Sequence, residues 1–139
     1  MPSKTLSVYT PNYNHGHLIG RAIEAVLSQS RCPDEYLILD DASTDNSLEV
    51  IEHYASAYPF IRVLRNKQNH GVIAAIQRCQ DEVNGDYVYG GSADDYVLPG
   101  FFESAMEMAD RCGETGIIFG QAVQVDERGQ EIKKIEVPG

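Results

Sequence analysis

Two pairs of adjacent aspartates, Asp40-Asp41 and Asp94-Asp95, each close a short apolar run that reads as a buried strand, and each precedes a helix-starting pattern. In an open α/β sheet, ligands gather at the carboxyl ends of the strands, so both pairs are expected to reach one crevice. Hard oxygen donors of this kind suit Mg²⁺ or Mn²⁺, whose shell is completed by phosphate oxygens and waters. With one carboxylate on the ion and its neighbour on a ribose or a water, the cation can bridge a diphosphate and stabilise it as a leaving group. The competing reading is structural, because an aspartate between strand and helix commonly caps the helix amides. For a single residue that reading is preferred, whereas two doublets at equivalent places favour a ligand site. The loop Pro11-Asn12-Tyr13-Asn14 is expected at the same edge. The ring of Tyr13 offers a stacking face for a base, and an ionised Asp41 can accept a hydrogen bond from a nucleobase imide N–H. Tyr13 packed on the core as an ordinary loop residue is the alternative.

Positioning these groups falls to strands and helices that alternate along the whole chain, the pattern of a mostly parallel sheet flanked by helices. Leu6 to Thr10 reads as the first strand, ended by Pro11. Ile19, Ile23, Val26 and Leu27 then recur at helical spacing, with Arg21, Glu24 and Gln29 facing water, until Cys32-Pro33-Asp34. Tyr36 to Leu39 is continuously apolar, as a strand covered on both faces should be, and delivers Asp40-Asp41. Capping residues at 42–46 introduce a helix with the stripe Leu48, Ile51, Ala55 and Tyr58. Ile61 to Leu64 gives a third strand, followed by a helix with the stripe Val72, Ala75, Ile76, Cys79 and Val83, stopped at Asn84-Gly85 as left-handed-tolerant residues commonly do. Residues 86–91 form a fourth strand leading to Ser92-Ala93-Asp94-Asp95. Pro99 opens a helix with the face Phe102, Ala105, Met106, Ala109 and Cys112. Residues 116–120 and 123–125 read as further strand, and 127–130 as a hairpin turn into 132–137.

Several function classes are excluded or disfavoured. The chain has 139 residues and a formal net charge of -10, from 21 acidic against 11 basic residues, which opposes binding to a nucleic acid backbone. No apolar run approaches the roughly 20 residues of a membrane span. The opening MPSKTLSVYT lacks the long apolar region of a signal peptide, so a cytoplasmic location is expected. Cys32, Cys79 and Cys112 lack C-x-x-C pairing and read as reduced structural thiols. His15 and His17 share a loop without metal-ligand spacing and read as solvated residues. Neither a G-x-x-x-x-G-K-[ST] loop, a G-x-G-x-x-G after the first strand, nor a G-x-S-x-G elbow is present.

Taken in order, these residues resemble the family 2 glycosyltransferases of the GT-A fold. The likeness rests on Pro11-Asn12-Tyr13-Asn14, Gln29-Ser30, Glu35 with Asp40-Asp41-Ala42-Ser43-Thr44-Asp45, Asn69-His70-Gly71, Gly85-Asp86-Tyr87, and Ser92-Ala93-Asp94-Asp95 with Pro99-Gly100. It implies a nucleoside-diphosphate-sugar donor, a UDP-sugar first among them, with the backbone near Pro11, the ring of Tyr13 and the carboxylate of Asp41 around the base. Ser92 and Asp94 would serve the ribose, and Asp95 would be the direct ligand of Mn²⁺ or Mg²⁺, with Asp40 as a neighbouring support. The chain departs from the family pattern at Ser92, where many members carry an aspartate, and at Ala75-Ile76-Gln77, where many carry A-R-N. The general base of inverting members is expected beyond Gly139, so Asp126 is not assigned that role.

The resemblance therefore leads to the expectation of one α/β, Rossmann-like domain over residues 1–139, truncated at its C-terminal end. Its complete form would transfer a sugar to a hydroxyl of a carbohydrate or glycan acceptor, metal-dependently and with inversion, in polysaccharide biosynthesis. It would carry no nucleic acid partner and no membrane span in this chain, and could sit on the inner face of a membrane. Two other classes compete: a non-catalytic nucleotide-sugar-binding or interaction module, and a phosphoacceptor receiver. The receiver family places its acidic pair after the first strand, where Pro11 to Asn14 stand here.

Overall fold

The structure is a computed structural model that describes residues 3–136. The chain runs β1 (Leu6–Asn12), α1 (Ile19–Leu27), β2 (Glu35–Asp40), α2 (Ser47–Ala57), β3 (Ile61–Arg65), α3 (Val72–Glu82), β4 (Tyr87–Gly90), α4 (Phe101–Cys112), β5 (Ala122–Val125) and β6 (Glu131–Ile135). The first four strands form one parallel sheet in the order β3-β2-β1-β4. The last two pair antiparallel as a separate hairpin. Helices therefore fill the connections, as parallel strands require.

Burial follows the strand and helix periods. Along β1 and β2 nearly every residue is buried, because both faces of the sheet are covered. On one face Val8, Tyr36, Ile38 and Ile61 pack with Ile19, Ile23 and Val26 of α1, Ile51 of α2, and Phe102 and Met106 of α4. On the other face Tyr9, Leu37 and Leu39 meet Ala75 and Cys79 of α3. Cys79 is a buried apolar filler, and burial pushes its thiol up to about 11. Among the described residues, no helix is long and apolar enough to cross a membrane.

The chain departs from the sequence expectations at definite places. Residues 116–120 form no strand, and Ile117 and Phe119 are exposed, so a β-prone composition without a pairing partner leaves them irregular. Val72, Tyr58 and Cys112 lie at or next to helix ends and are exposed rather than on the buried stripes. The helix before β4 ends at Glu82 with Val83 extended, and Gly85 is not left-handed. Gly85 is required by space instead: a Cβ there would lie 2.6 Å from the Ser7 amide nitrogen. Pro99 precedes the last helix, which starts at Phe101 behind a left-handed Gly100. The hairpin turn forms as expected, closed by Arg128 and Gln130 amides on the Asp126 carboxylate, each at 2.9 Å. Val137 lies outside the described residues.

Candidate functional site

From β1 the chain steps to β2 and then β3 on one side, and it returns past β1 to place β4 on the other. The strand order reverses between β1 and β4, and there the loops leaving the two strands diverge and open a crevice at the carboxyl rim. Residues 13–18 flank it from β1 and residues 91–100 from β4. The two strands stay joined up to the rim, where the Gly91 amide donates to the Tyr9 carbonyl at 2.8 Å.

The loop after β4 is pinned by its apolar residues and presents its polar ones. Ala93 and Val97 are buried in the core, whereas Ser92, Asp94 and Asp95 are exposed. The Ser92 hydroxyl donates to Asp94 Oδ1. That bond, with the Asp94 backbone amide and the nearby His15, holds the Asp94 carboxyl below the usual carboxylate range despite partial desolvation. Asp95 is exposed, and among the described residues its carboxylate has no hydrogen-bond partner and no ion pair. A hard cation fits this donor set: one free carboxylate, and a second ionised one beside it. No cluster of three or more His, Cys, Asp or Glu side chains among the described residues could hold an ion by itself.

On the β1 side, Tyr13 is 44% exposed, so the alternative of a ring packed in the core is not realised. Its loop is held by Asn14, whose φ of 55° is the left-handed region that asparagine tolerates. Asn14 Oδ1 accepts from the Thr44 amide at 2.8 Å, and its own amide donates to Ser43 Oγ at 3.0 Å. The Gly16 amide donates to Asp45 at 2.8 Å. Thus the segment after β2 fixes the pose of the loop after β1.

The first aspartate doublet proves to be architectural in its contacts. Asp40 is buried at the end of β2, where it accepts from Asn12 Nδ2 at 3.0 Å, the Ser43 amide at 3.0 Å and the Ser43 hydroxyl at 2.6 Å. Asp41, 2% exposed, accepts from Asn66 Nδ2 at 2.7 Å, from the His70 amide at 3.1 and 3.2 Å, and from the Gly71 amide at 3.0 Å. Burial alone would raise the Asp41 carboxyl; these donors outweigh it and hold the group below its ordinary value. Asp41 therefore ties the loop between β3 and α3 to the end of β2. Directly after the two aspartates, Ala42 sits at φ 63°, a strained position for a residue with a Cβ. Asn12 adds a buried Oδ1 without a protein partner, fixed in that orientation because its amide nitrogen faces Asp40.

The doublets thus share one rim but not one coordination sphere, with Asp94 and Asp95 presented and Asp40 and Asp41 enclosed. Sequence spacing placed all of them correctly at strand ends. It missed the linking roles of Asn14 and Ser43, whose signal was a density of Asx and Ser residues in two loops at once. It also missed Arg21 and Gln29, expected to face water. The Arg21 guanidinium stacks 4.7 Å from the Tyr96 ring centroid, and Gln29 is 4% exposed.

A larger cavity, about 620 Å³, lies along the open side of β4, lined by Leu6, Tyr87, Phe101, Phe102, Met106 and Ile117 among others. Among the described residues that line it only Lys4 and Asp86 are charged, so it lacks the convergent polar groups of a ligand site, and the rim has them.

Comparison with known proteins decides the family. A family model described as Glycosyl transferase family 2 matches residues 7–137. The chain belongs to the family 2 glycosyltransferases. This family 2 chain is 38% identical over 104 residues to the uncharacterized glycosyltransferase YibD of Escherichia coli, covering 75% of the chain and 30% of that protein. It is 32% identical over 102 residues to the chondroitin synthase of Pasteurella multocida, covering 73% of the chain and 10% of that protein. Among solved structures it matches S. aureus TarS 1-349 in complex with UDP-GlcNAc, with a TM-score of 0.71 at 24% identity, over 77% of the chain and 31% of that one. It also matches the mannosyltransferase PcManGT from Pyrobaculum calidifontis in complex with GDP-Man and Mn²⁺, with a TM-score of 0.63 at 22% identity, over 69% of the chain and 29% of that one. The glycosyltransferase chain thus has the GT-A fold and spans less than a third of each of these proteins.

Proposed function

We propose that this rim is the donor site of a metal-dependent glycosyltransferase, which moves a hexosyl group from a nucleoside diphosphate, UDP foremost, to a hydroxyl of a glycan acceptor with inversion. The carrying observation is the uncommitted Asp95 carboxylate beside the ionised Asp94 at the β1/β4 switch point. The exposed ring of Tyr13 stacks on the base, with the backbone near Pro11 beside it. Asp41, enclosed with its oxygens engaged by Asn66, His70 and Gly71, serves the base from behind the 66–71 loop that it holds in place. Ser92 and Asp94 act as one unit toward the ribose: the hydroxyl orients the carboxylate, which accepts from a ribose hydroxyl. Asp95 holds Mn²⁺ or Mg²⁺. When bound, that ion supplies positive charge that offsets the diphosphate and eases its departure. No described carboxylate is assigned as the base that deprotonates the acceptor.

The test is a thermal-shift panel of UDP, GDP, CDP and dTDP with and without Mn²⁺, since a ligand of the folded state raises its stability by mass action. One diphosphate should stabilise the chain only with metal, and Asp95→Asn should abolish that shift. Equal shifts in the variant refute the metal role, and metal-independent shifts support a non-catalytic binding module instead.

A further inference from the structure

Gln29 opens the Gln29-Ser30 pair, and none of its hydrogen bonds goes to a side chain assigned to the donor. It is buried just beyond α1, and its side chain reaches a part of the chain about seventy positions away. Nε2 donates to the Leu98 carbonyl at 2.9 Å and to the Ala25 carbonyl at 3.3 Å, while Oε1 accepts the Phe102 amide at 3.1 Å. Leu98 and Phe102 bracket the C-terminal end of the acidic loop and the first turn of α4, where the N-cap residue Gly100 has no side chain to cap the amides and Gln29 caps one from outside. Eight residues earlier, within α1, Arg21 stacks on Tyr96, the residue directly after Asp95. Between the two contacts Val97 enters the core against α1.

We infer that α1 is a brace for the metal-binding loop, with Gln29 and Arg21 as positioning residues that set the pose of Asp95. This rests on the donor-site reading above. The physical case is one of freedom removed. Among the described residues the Asp95 carboxylate has no hydrogen bond of its own, so its direction is set by its neighbours in the loop. Tyr96 is held by a cation–π contact, and Leu98 and Phe102 by an amide that satisfies a carbonyl and an N–H at once. Glutamine suits this task because it has both a donor and an acceptor at its tip. Glutamate would lose the donor to Leu98, and methionine would lose both.

The experiment uses the full chain and two readouts. Amide hydrogen exchange followed by NMR reports the brace without any ligand. In Gln29→Met, the Phe102 amide and the amides of 94–98 should exchange about tenfold faster or more, with β1, β2 and α3 unchanged. Calorimetric titration with UDP, with Mn²⁺ and with EDTA, reports the consequence. The metal-dependent gain in UDP affinity should fall about tenfold in Gln29→Met and in Arg21→Leu, while metal-free UDP binding stays within about twofold. Gln29→Glu, which keeps the bond from Phe102, should lie between wild type and Gln29→Met on both scales and covers the case in which the methionine variant does not fold. Unchanged exchange in the loop overturns the brace. A loosened loop with a wild-type metal gain overturns its role in metal binding, as does an equal loss of UDP affinity with and without metal. Absence of any Mn²⁺-dependent gain in the wild type overturns the donor-site reading and this inference with it, whatever the exchange shows.

Discussion

Replacing Asp41 by alanine strips the Asn66 side chain and the His70 and Gly71 amides of their shared acceptor. Hydrogen bonds to a charged group contribute about 1.5–3 kcal/mol each, so independent loss of all of them would reach roughly 4–9 kcal/mol. The sum is an upper bound, because Asn66 is only half-buried and His70 is exposed, and water can replace part of what they lose. Removing one partner of a buried charged network generally costs about 3–5 kcal/mol, and that is the value expected here. For a domain of this size it corresponds to a fall in Tm of roughly 10–20 °C. Asp41→Asn keeps the volume and one oxygen but turns an NH₂ toward N–H donors, and a loss of about 2–3 kcal/mol is expected. Urea unfolding at neutral pH, followed by circular dichroism, measures both. The pH dependence has a fixed sign. The folded carboxyl titrates below its unfolded value of about 4, so its contribution is full above that pH and lost as pH falls through the lower folded value. The stability gap between wild type and Asp41→Asn should therefore close on acidification below about pH 4. A loss under about 1 kcal/mol, or a gap that does not narrow in acid, refutes the assignment of Asp41 as the tie of the 66–71 loop.

Other perturbations test the local geometry. Ala42 occupies the left-handed region at φ 63°, so Ala42→Gly should raise stability by about 0.5–1 kcal/mol after the added freedom of the unfolded chain is counted, readable in the same urea experiment. Destabilisation there would show that the turn is not strained. Gly85→Ala places a Cβ 2.6 Å from the backbone nitrogen and Oγ of Ser7, and should cost about 1–3 kcal/mol through displacement of β1 from the start of β4. A neutral outcome would contradict the close approach.

Much of the fold was legible because period and punctuation agreed. The unbroken apolar run of β2 announced a strand covered on both faces, and the stripes of α1 and α4 announced helices with one buried side. Residues 116–120 misled because the same β-branched and aromatic composition pairs only if a neighbouring strand is present to receive it. At the site, spacing fixed which residues reach the rim and could not fix which of them remain free. Asp41 and Asp95 look alike in sequence, each the second member of a doublet. They differ because a loop from one β-α unit further along closes over Asp41, whereas the residues around Asp95 turn inward at Ala93 and Val97. Gln29 and Arg21 were placed on the wet side by helical period, which ignores what a later segment lays across the helix.

Paramagnetic broadening by Mn²⁺ is the direct test of where the cation and diphosphate sit. In an amide NMR spectrum of the chain with UDP, substoichiometric Mn²⁺ should erase signals at residues 91–97 first and 12–16 next, and Asp95→Asn should restore them. Broadening centred on the cavity beside β4, at Lys4, Asp86 and residues 113–118, or broadening that survives Asp95→Asn unchanged, would contradict a donor site at the β1/β4 rim.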